Sequence, residues 1–214
     1  MSVRDDILVR LRRQLGRTDV STAAAHERAA ATMAAHRTGP RAAQDALSER
    51  FIARALEMNS TVDRCAVLDQ VPARCADWLA ASGLPRELVV APELGSLDWA
   101  AAGLSVRSGA ATGQDPVGVT GCFRAIAETG TLMLHSGADM PPVNSLLPET
   151  HIAIVRRDRI VADMEAAWTD ARHEWVVWPR AVNFVSGPSR TADIEQTIVL
   201  GAHAPYRVHL LLLG

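Results

Sequence analysis

Hydrophobic side chains recur every three to four residues through the first sixty positions of the chain. One set comprises Val3, Ile7, Leu8, Leu11 and Leu15, and a second comprises Ala43, Leu47, Phe51, Ala55 and Met58. This spacing places each set on one face of an α-helix, and Gly16 is a suitable stop for the first helix. The pattern predicts a helical N-terminal extension over residues 1–60 that packs on the main domain.

From residue 64 the pattern changes to short apolar runs bounded by turn residues. The runs "CAVLD" and "ELVVAP" flank a helical segment, "PARCADWLAASG". Further strands are predicted at "GLSVRS", "VGVTGC", "GTLMLHS", "HIAIVRR", "RIVAD", "AVNFVSG" and "YRVHLLLLG", with helices at "DMEAAWTDARHEW" and "TADIEQTIVLG". Strands alternating with helices, and strands that are apolar throughout, are typical of a buried parallel sheet. The sequence therefore predicts an α/β domain over residues 61–214 with a mostly parallel sheet.

The composition limits the class of protein. The chain has 214 residues, 48% of them hydrophobic, yet no apolar stretch approaches the length of a membrane span. The start, "MSVRDDILVRL", carries charges where a signal peptide needs an apolar segment. Three widely spaced cysteines indicate reduced thiols, so we expect a cytoplasmic protein. A net charge of -2 gives no general attraction to nucleic acid.

Several common chemistries lack their motifs. The chain contains no lysine, which excludes Schiff-base catalysis and a Walker-type phosphate loop. His173-Glu174 begins an HExxH pattern, but Val177 stands where the second histidine is needed. CxxC, GxGxxG and GxSxG motifs are absent as well. We therefore expect neither a metal site nor an intrinsic cofactor.

The segment "AETGTLML" places one carboxylate, Glu128, in a run that otherwise resembles a buried strand. Gly130 between Thr129 and Thr131 would allow backbone amides to approach a ligand closely. A carboxylate there is suited to act as nucleophile, general base or orienting acceptor. The alternative is structural: Glu128 pairs with an arginine such as Arg124 or Arg190 and ties the sheet together.

The segment "SGPSRTADIEQ" has the pattern of a strand-to-helix turn. Gly187 closes the strand, and Ser189 or Thr191 is a good helix N-cap. Ligands bind at such turns in α/β sheets, and Arg190 offers a fork for a carboxylate or phosphate. The alternative is a well-capped turn in which Arg190 pairs with an acidic residue such as Asp193.

Three further features stand out. His203, in the turn "GAHAP", is placed to reach a site at the carboxyl ends of the strands. The loop "SGADMPPVNSLLPETH", which contains Asn144, is long for an ordinary connection and would suit a lid. Trp168, Trp175 and Trp178 fall within eleven residues, a cluster that either packs in the core or anchors a partner.

Taken in order, the segments "AETGTL", "LLPETHIAIV", "FVSGPSRTADIE" and "LGAHAP" resemble the LUD-domain family, and within it the C-type lactate utilization branch. The resemblance covers roughly residues 60–214. It implies a three-layer sheet fold related to ribose-5-phosphate isomerase, glucosamine-6-phosphate deaminase and the CoA-transferases. It also implies a role in oxidising L-lactate to pyruvate beside partner proteins that carry iron–sulfur clusters. One departure is Ala204, which stands where the family commonly has glycine after the histidine.

Three functions stay open from the sequence. The first is a non-redox subunit of a lactate-oxidising assembly that holds a small carboxylate near Glu128 and Arg190. The second is an independent transferase or isomerase with Glu128 as nucleophile or base, acting on a phosphorylated or CoA-linked small molecule. The third is a purely structural assembly subunit. Whether the chain is itself an enzyme is therefore undecided.

The candidate pocket lies where "AETGT" and "GPSRT" meet, at the carboxyl ends of neighbouring strands. Glu128 is the candidate catalytic residue. The candidate ligand-binding residues are Thr129, Gly130, Thr131, Gly187, Ser189, Arg190, Thr191, Asp193 and His203.

Overall fold

A computed structural model describes residues 3–16, 22–35, 45–191, 199–201 and 205–214. The chain divides into two compact units, Met1–Arg41 and Ala42–Gly214. The first contains helices α1 (Val3–Gln14) and α2 (Thr22–Ala34), as the helical pattern predicts. Helix α1 buries none of its side chains, and the predicted packing of the N-terminal extension on the main domain stays a prediction.

The second unit contains three helices and twelve strands among its described residues. The helices are α3 (Leu47–Glu57), α4 (Val71–Ala81) and α5 (Met164–Glu174). The strands are β1 (Thr61–Cys65), β2 (Glu87–Val90), β3 (Ser105–Ser108), β4 (Val117–Thr120), β5 (Arg124–Ile126), β6 (Thr131–His135), β7 (Thr150–Arg156), β8 (Ile160–Val161), β9 (Val182–Val185), β10 (Arg190–Thr191), β11 (Val199–Leu200) and β12 (Arg207–Leu213).

Six of these strands form one sheet in the order β1-β12-β7-β4-β2-β3, and every neighbouring pair is parallel. All its strands therefore begin along one edge, the amino edge, and end along the opposite one, the carboxyl edge. The α/β class and the mostly parallel sheet are confirmed. Side chains on β7 alternate between two cores: Ile152 and Ile154 face one, while Ala153 and Val155 face the other. Both faces of this strand are covered, which explains why β7 is almost continuously apolar.

The first core lies between the sheet and α4, which buries Val71, Cys75 and Leu79 there. Helix α4 has Pro72 in its first turn, where a missing N–H costs nothing. Gly83, with φ +63°, follows its end, as the sequence predicts.

The second core lies between the opposite face of the parallel sheet, α3 and a four-stranded sheet of order β8-β5-β6-β9. Helix α3, which the sequence pattern assigned to the extension, belongs to this unit and buries Phe51 and Ala55 there. Helix α5 covers the outer face of the four-stranded sheet with Ala167 and Ala171. Its N-cap is Asp163, whose carboxylate accepts the N–H of Ala166 at 2.8 Å.

The predicted strand "GTLMLHS" is confirmed as β6, which pairs antiparallel with β5 and β9 in the second sheet. Two local predictions are wrong. The first strand lies at residues 61–65, and "CAVLD" leads out of it into a short 3-10 helix, Leu68–Gln70. Arg190 and Thr191 form a strand that pairs with β11, so no helix begins at these residues. Residues 192–198, the rest of that predicted helix, lie outside the described part of the chain.

The Pro-rich loop before β7 is fastened to the parallel sheet. Asn144 is fully buried, and its side chain accepts the N–H of Ala111 at 2.7 Å and donates to the carbonyl of Gly109 at 2.8 Å. Its own carbonyl lies so close to Gly118 in β4 that a Cβ there would overlap it. The described contacts therefore give this loop a structural role instead of that of a lid.

Candidate functional site

Glu128 lies in the tight turn 127–130 that joins β5 to β6, which we call the Glu128 turn. The N–H of Gly130 donates to the carbonyl of Ile126 at 2.9 Å, and Gly130 has φ +66°. The N–H of Glu128 donates to the carbonyl of Ala162 at 3.0 Å, just beyond β8. The backbone of the turn is thus held by the sheet, while the Glu128 side chain is half-buried.

The two glycines of the candidate motifs both pack against helix α3. A Cβ on Gly130 would lie 2.5 Å from the amide nitrogen of Ala55, and one on Gly187 would overlap the carbonyl oxygen of Met58. Both residues also have positive φ, +66° and +71°, which L side chains rarely adopt. Backbone packing therefore accounts for both glycines, and their contact with a ligand stays a prediction.

A chain of hydroxyl groups connects the Glu128 turn to the end of β9. The hydroxyl of Thr129 donates to that of Thr131 at 2.7 Å, and the Thr131 and Ser186 oxygens are 2.5 Å apart. A threonine hydroxyl can accept two hydrogen bonds and donate one, so either oxygen can be the donor between Thr131 and Ser186. Ser186 is exposed, so its hydroxyl can contact a ligand as well as Thr131.

Sequence reasoning missed Ser186, although it lies inside the quoted segment "VSGPSR". Ser186 is recognised only once the pairing of β6 with β9 is known. Leu132 of β6 is opposite Val185 of β9, which makes Thr131 the neighbour of the following residue. That register is a long-range feature that the local pattern does not contain.

Arg124, the suggested structural partner of Glu128, is engaged elsewhere. Its side chain is buried and donates to the carboxylates of Asp170, at 2.6 Å, and Glu174, both on α5. Glu174 also accepts from Arg159 at 3.0 Å. Within the described residues, no hydrogen bond or ion pair to the Glu128 carboxylate is present.

The backbone of Ser189 is hydrogen-bonded within the fold. The N–H of Ser189 donates to the carbonyl of Pro205 at 3.0 Å, and its carbonyl accepts from Gly201 at 2.9 Å. Thr191 pairs with Val199 in the β10–β11 hairpin. The Ser189 amide is therefore not available to an anionic ligand.

Arg190 is exposed, and no ion pair to it is found in the part of the chain that the structure describes. Asp193 and His203 lie outside the described residues. Their proposed contacts with a ligand stay predictions.

The structure brings the two candidate motifs together. Strands β5 and β9 both run antiparallel to β6, so their carboxyl ends lie on the same side of the four-stranded sheet. The Glu128 turn follows β5 there, and Gly187 lies just beyond the end of β9. Gly187 packs against the backbone of Met58, which precedes β1. The N–H of Ser189 donates to the carbonyl of Pro205, which precedes β12. The candidate site therefore lies beside the amino edge of the parallel sheet.

A second polar cluster lies at the carboxyl edge, between β2 and β4. Glu93 lies just after β2, and Gly121 just after β4. The Glu93 carboxylate accepts a hydrogen bond of 2.9 Å from the N–H of Gly121. The next strand of this sheet after β2 is β3, on one side of the β2–β4 pair, and the next after β4 is β7, on the other side. Ligands of α/β sheets bind where the strand order reverses in this way. Burial raises the pKa of Glu93, while the Gly121 bond and nearby His135 lower it. The sequence pattern did not single out this cluster, although "AP" and "TG" mark both strand ends.

Cys122, beside that cluster, is a poor nucleophile. Burial, and to a lesser extent the charge of Glu93, raise the pKa of its thiol to about 12. In the described part of the chain no three His, Cys, Asp or Glu side chains are grouped to hold a metal ion. Over the same residues no helix is long and apolar enough to cross a membrane.

The fold and the site define a class: an α/β protein whose parallel sheet is backed by a second sheet that carries a carboxylate–hydroxyl edge. The chain belongs to the LUD domain family, whose model matches residues 20–213. It is also similar to the solved structure of a DUF162 family protein from Deinococcus radiodurans, with a TM-score of 0.58 and 25% identity. That likeness covers 81% of this chain and 99% of the other.

Curated relatives carry one name. Lactate utilization protein C of Bacillus subtilis (strain 168) is 39% identical over 104 residues, which is 47% of this chain and 43% of that protein. The protein of the same name from Deinococcus radiodurans is 39% identical over 97 residues, 45% of each chain. The match thus spans somewhat less than half the length of these relatives. It confirms the resemblance to the C-type branch.

Proposed function

We propose that the chain is a component of a lactate utilization system, in which it acts as a non-redox subunit that binds a small carboxylate or organises the assembly. The observation that carries the proposal is the shared name of its relatives, lactate utilization protein C, at 34–40% identity over about a hundred residues. The L-lactate-oxidising chemistry is then supplied by iron–sulfur partner proteins, and this chain needs no intrinsic cofactor.

The Glu128 turn supports a binding role because its groups match a hydroxy acid. Lactate offers a carboxylate, which suits the guanidinium of Arg190, and a hydroxyl, which suits the Glu128 carboxylate as acceptor. The exposed hydroxyl of Ser186 adds a donor on the same edge. Glu128 would orient the substrate, or accept its hydroxyl proton, while a partner protein takes the hydrogen of the α-carbon and the two electrons.

Deletion of the gene from its own host tests the role. We expect growth on L-lactate as sole carbon source to be lost, growth on glucose to be kept, and the wild-type gene to restore the first. Complementation with Glu128→Gln should fail, whereas Glu87→Gln, which changes an exposed carboxylate at the start of β2, should succeed. Normal growth of the deletion strain on lactate would refute the role.

The partner and cofactor parts of the proposal need their own measurements. Affinity purification of the tagged chain from lactate-grown cells should recover proteins whose visible spectrum shows iron–sulfur absorption. The chain purified alone should be colourless. A stoichiometric yellow or brown chromophore in the isolated chain would contradict the absence of an intrinsic cofactor.

A second function is favoured by one observation: the half-buried Glu128 carboxylate has no bonded partner among the described residues. Such a group is suited to attack a thioester. Its oxygen would bond to the carbonyl carbon, the carbon–sulfur bond would break, and CoA would leave as the thiolate. Incubation with acetyl-CoA followed by peptide mass spectrometry should then show an adduct on Glu128 that Glu128→Gln lacks. An unmodified peptide at millimolar acetyl-CoA would remove this function.

A further inference from the structure

The tryptophan cluster near the end of α5 is one connected aromatic group. The Trp168 and Trp178 rings are 6.4 Å apart and nearly parallel, and Trp175 meets Trp178 edge-on at 5.4 Å. Trp175 also packs on Phe123 at 4.7 Å, within the core between α5 and the four-stranded sheet. Trp178 is different, because 53% of it is exposed to solvent. Core packing explains Trp175 but not Trp178.

A cleft of about 520 Å³ opens beside Trp178, which we call the aromatic cleft. Its main lining residues are His135, Ser136, Pro142, Trp175, Trp178 and Arg180. The volume lies within the range of about 300–1,000 Å³ that small-molecule sites occupy. Aromatic walls with a few polar groups are also the usual lining of such sites.

The polar groups of the aromatic cleft favour a negative charge. None of its lining residues is acidic, and Arg180 and His135 are basic. No carboxylate pairs with Arg180 among the residues that the structure describes. The Ser136 hydroxyl accepts the N–H of Ala181 at 2.9 Å, so its own hydrogen is available to a ligand.

We propose that the aromatic cleft binds a planar heteroaromatic ring that carries an anionic group. The ring stacks on the exposed face of Trp178, since aromatic rings prefer offset-stacked or edge contacts with another ring. The anion bonds to the guanidinium of Arg180, whose fixed donors suit phosphate or carboxylate.

This site goes beyond the proposed function and is separate from the Glu128 turn. His135 ends β6, whereas Thr131, beside the Glu128 turn, begins it. Four residue steps along a strand separate the two positions by about 13 Å.

Calorimetric titration of the full chain with 5′-AMP and with adenosine tests the proposal, because the two probes share a ring and differ in the phosphate. We expect saturable binding of 5′-AMP, quenching of tryptophan fluorescence, and about tenfold weaker binding of adenosine. Trp178→Ala should weaken both probes by about tenfold or more. Arg180→Gln should reduce the affinity for 5′-AMP to that for adenosine.

Two matched variants control for general effects. Trp78→Phe changes a ring that stacks on His209, and Arg172→Gln changes an exposed arginine of α5 outside the cleft. Both should bind 5′-AMP as the wild type does. Glu128→Gln should do so as well, which separates this test from that of the proposed function.

Absence of saturable 5′-AMP binding up to millimolar concentration would overturn the proposal, as would wild-type affinity in Arg180→Gln. If Trp178→Ala proves unstable, the comparison of the two probes on Arg180→Gln decides alone.

Discussion

Arg124 begins β5, and Glu128 lies in the turn that follows this strand. The charge of Arg124 is buried and paired, whereas that of Glu128 is half-buried and has no partner among the described residues. The Arg124 side chain is 6% exposed and bonds to Asp170 and Glu174 of α5. The guanidinium also lies over the Phe123 ring, at 4.3 Å. Glu128, four residues later, is half-buried and has no ion-pair partner in the described chain.

The difference separates a structural charge from a functional one. A buried charge is tolerated only when it is paired, and Arg124 meets that condition by joining the four-stranded sheet to α5. Among the described residues Glu128 makes no such contact, so the contacts seen there do not explain its presence. Charged groups that the fold leaves unpaired in a partly buried place are candidates for ligand contact.

The largest effect is expected from removing the partners of Arg124. The double change Asp170→Asn and Glu174→Gln leaves a buried guanidinium without a counter-charge. We expect a loss of roughly 3 kcal/mol in the free energy of unfolding, because breaking a buried ion pair on one side strands the other charge. Urea denaturation measures it, and the melting temperature should fall by about 6–12 °C.

The converse change should cost less. Arg124→Met leaves two carboxylates that are 38% and 44% exposed, and these can be rehydrated. An Arg124→Met variant less stable than the double variant would contradict the view that burial of the arginine dominates.

The next effect concerns the glycine of the Glu128 turn. Gly130→Ala places a Cβ 2.5 Å from the backbone of α3 at φ +66°, so we expect a loss of roughly 1–3 kcal/mol in the free energy of unfolding from overlap and strain. Gly113→Ala is the matched control, since no atom lies within 4 Å of its Cβ. Equal stability of the two variants would show that Gly130 is not fixed by packing on α3.

The sequence predicts the parallel sheet well but not the second sheet. "HIAIVRR" and "YRVHLLLLG" became the adjacent central strands β7 and β12, since continuous apolar runs require burial on both faces. Strand β6 has the same texture for another reason: Leu132 and Leu134 face α3 and the parallel sheet, while Met133 faces α5. Burial on two faces does not reveal whether the neighbouring strand is parallel, so the pattern predicted the strand β6 but not the sheet that it joins.

The candidate site shows the same limit. The sequence identified Glu128, Gly130 and Gly187 as special positions, and the structure places them along one edge. It could not show that both glycines touch α3, because that contact joins residues more than seventy positions apart. Nor could a local pattern show that Arg124 pairs with α5 instead of with Glu128.

The effect of acid on the stability of the fold depends on two buried histidines, His151 and His209. Burial lowers the pKa of His151 from 6.5 to about 4, and that of His209 likewise to about 4. Below pH 6.5 these two histidines are therefore protonated in the unfolded chain but stay neutral in the folded one. The free energy of unfolding consequently falls as the pH drops from 6.5 towards 4.

Each of these histidines should contribute a slope of about 1.4 kcal/mol per pH unit in that window. Urea denaturation at several pH values measures the slope. His151→Gln should remove about half of it, whatever its effect at pH 8, where both imidazoles are neutral in either state. An unchanged slope in His151→Gln would contradict a neutral, buried His151.

The smallest effect on stability, and the most direct test of the account, belongs to Glu128→Gln. The variant should unfold within about 0.5 kcal/mol of the wild type, since surface changes away from structural contacts are usually that small. The same variant should fail to restore growth on L-lactate in the deletion host. Measured together, unchanged stability with lost function would assign Glu128 to a ligand or substrate. A strongly destabilised variant that supports growth in proportion to its folded fraction would return Glu128 to a structural role and contradict the account.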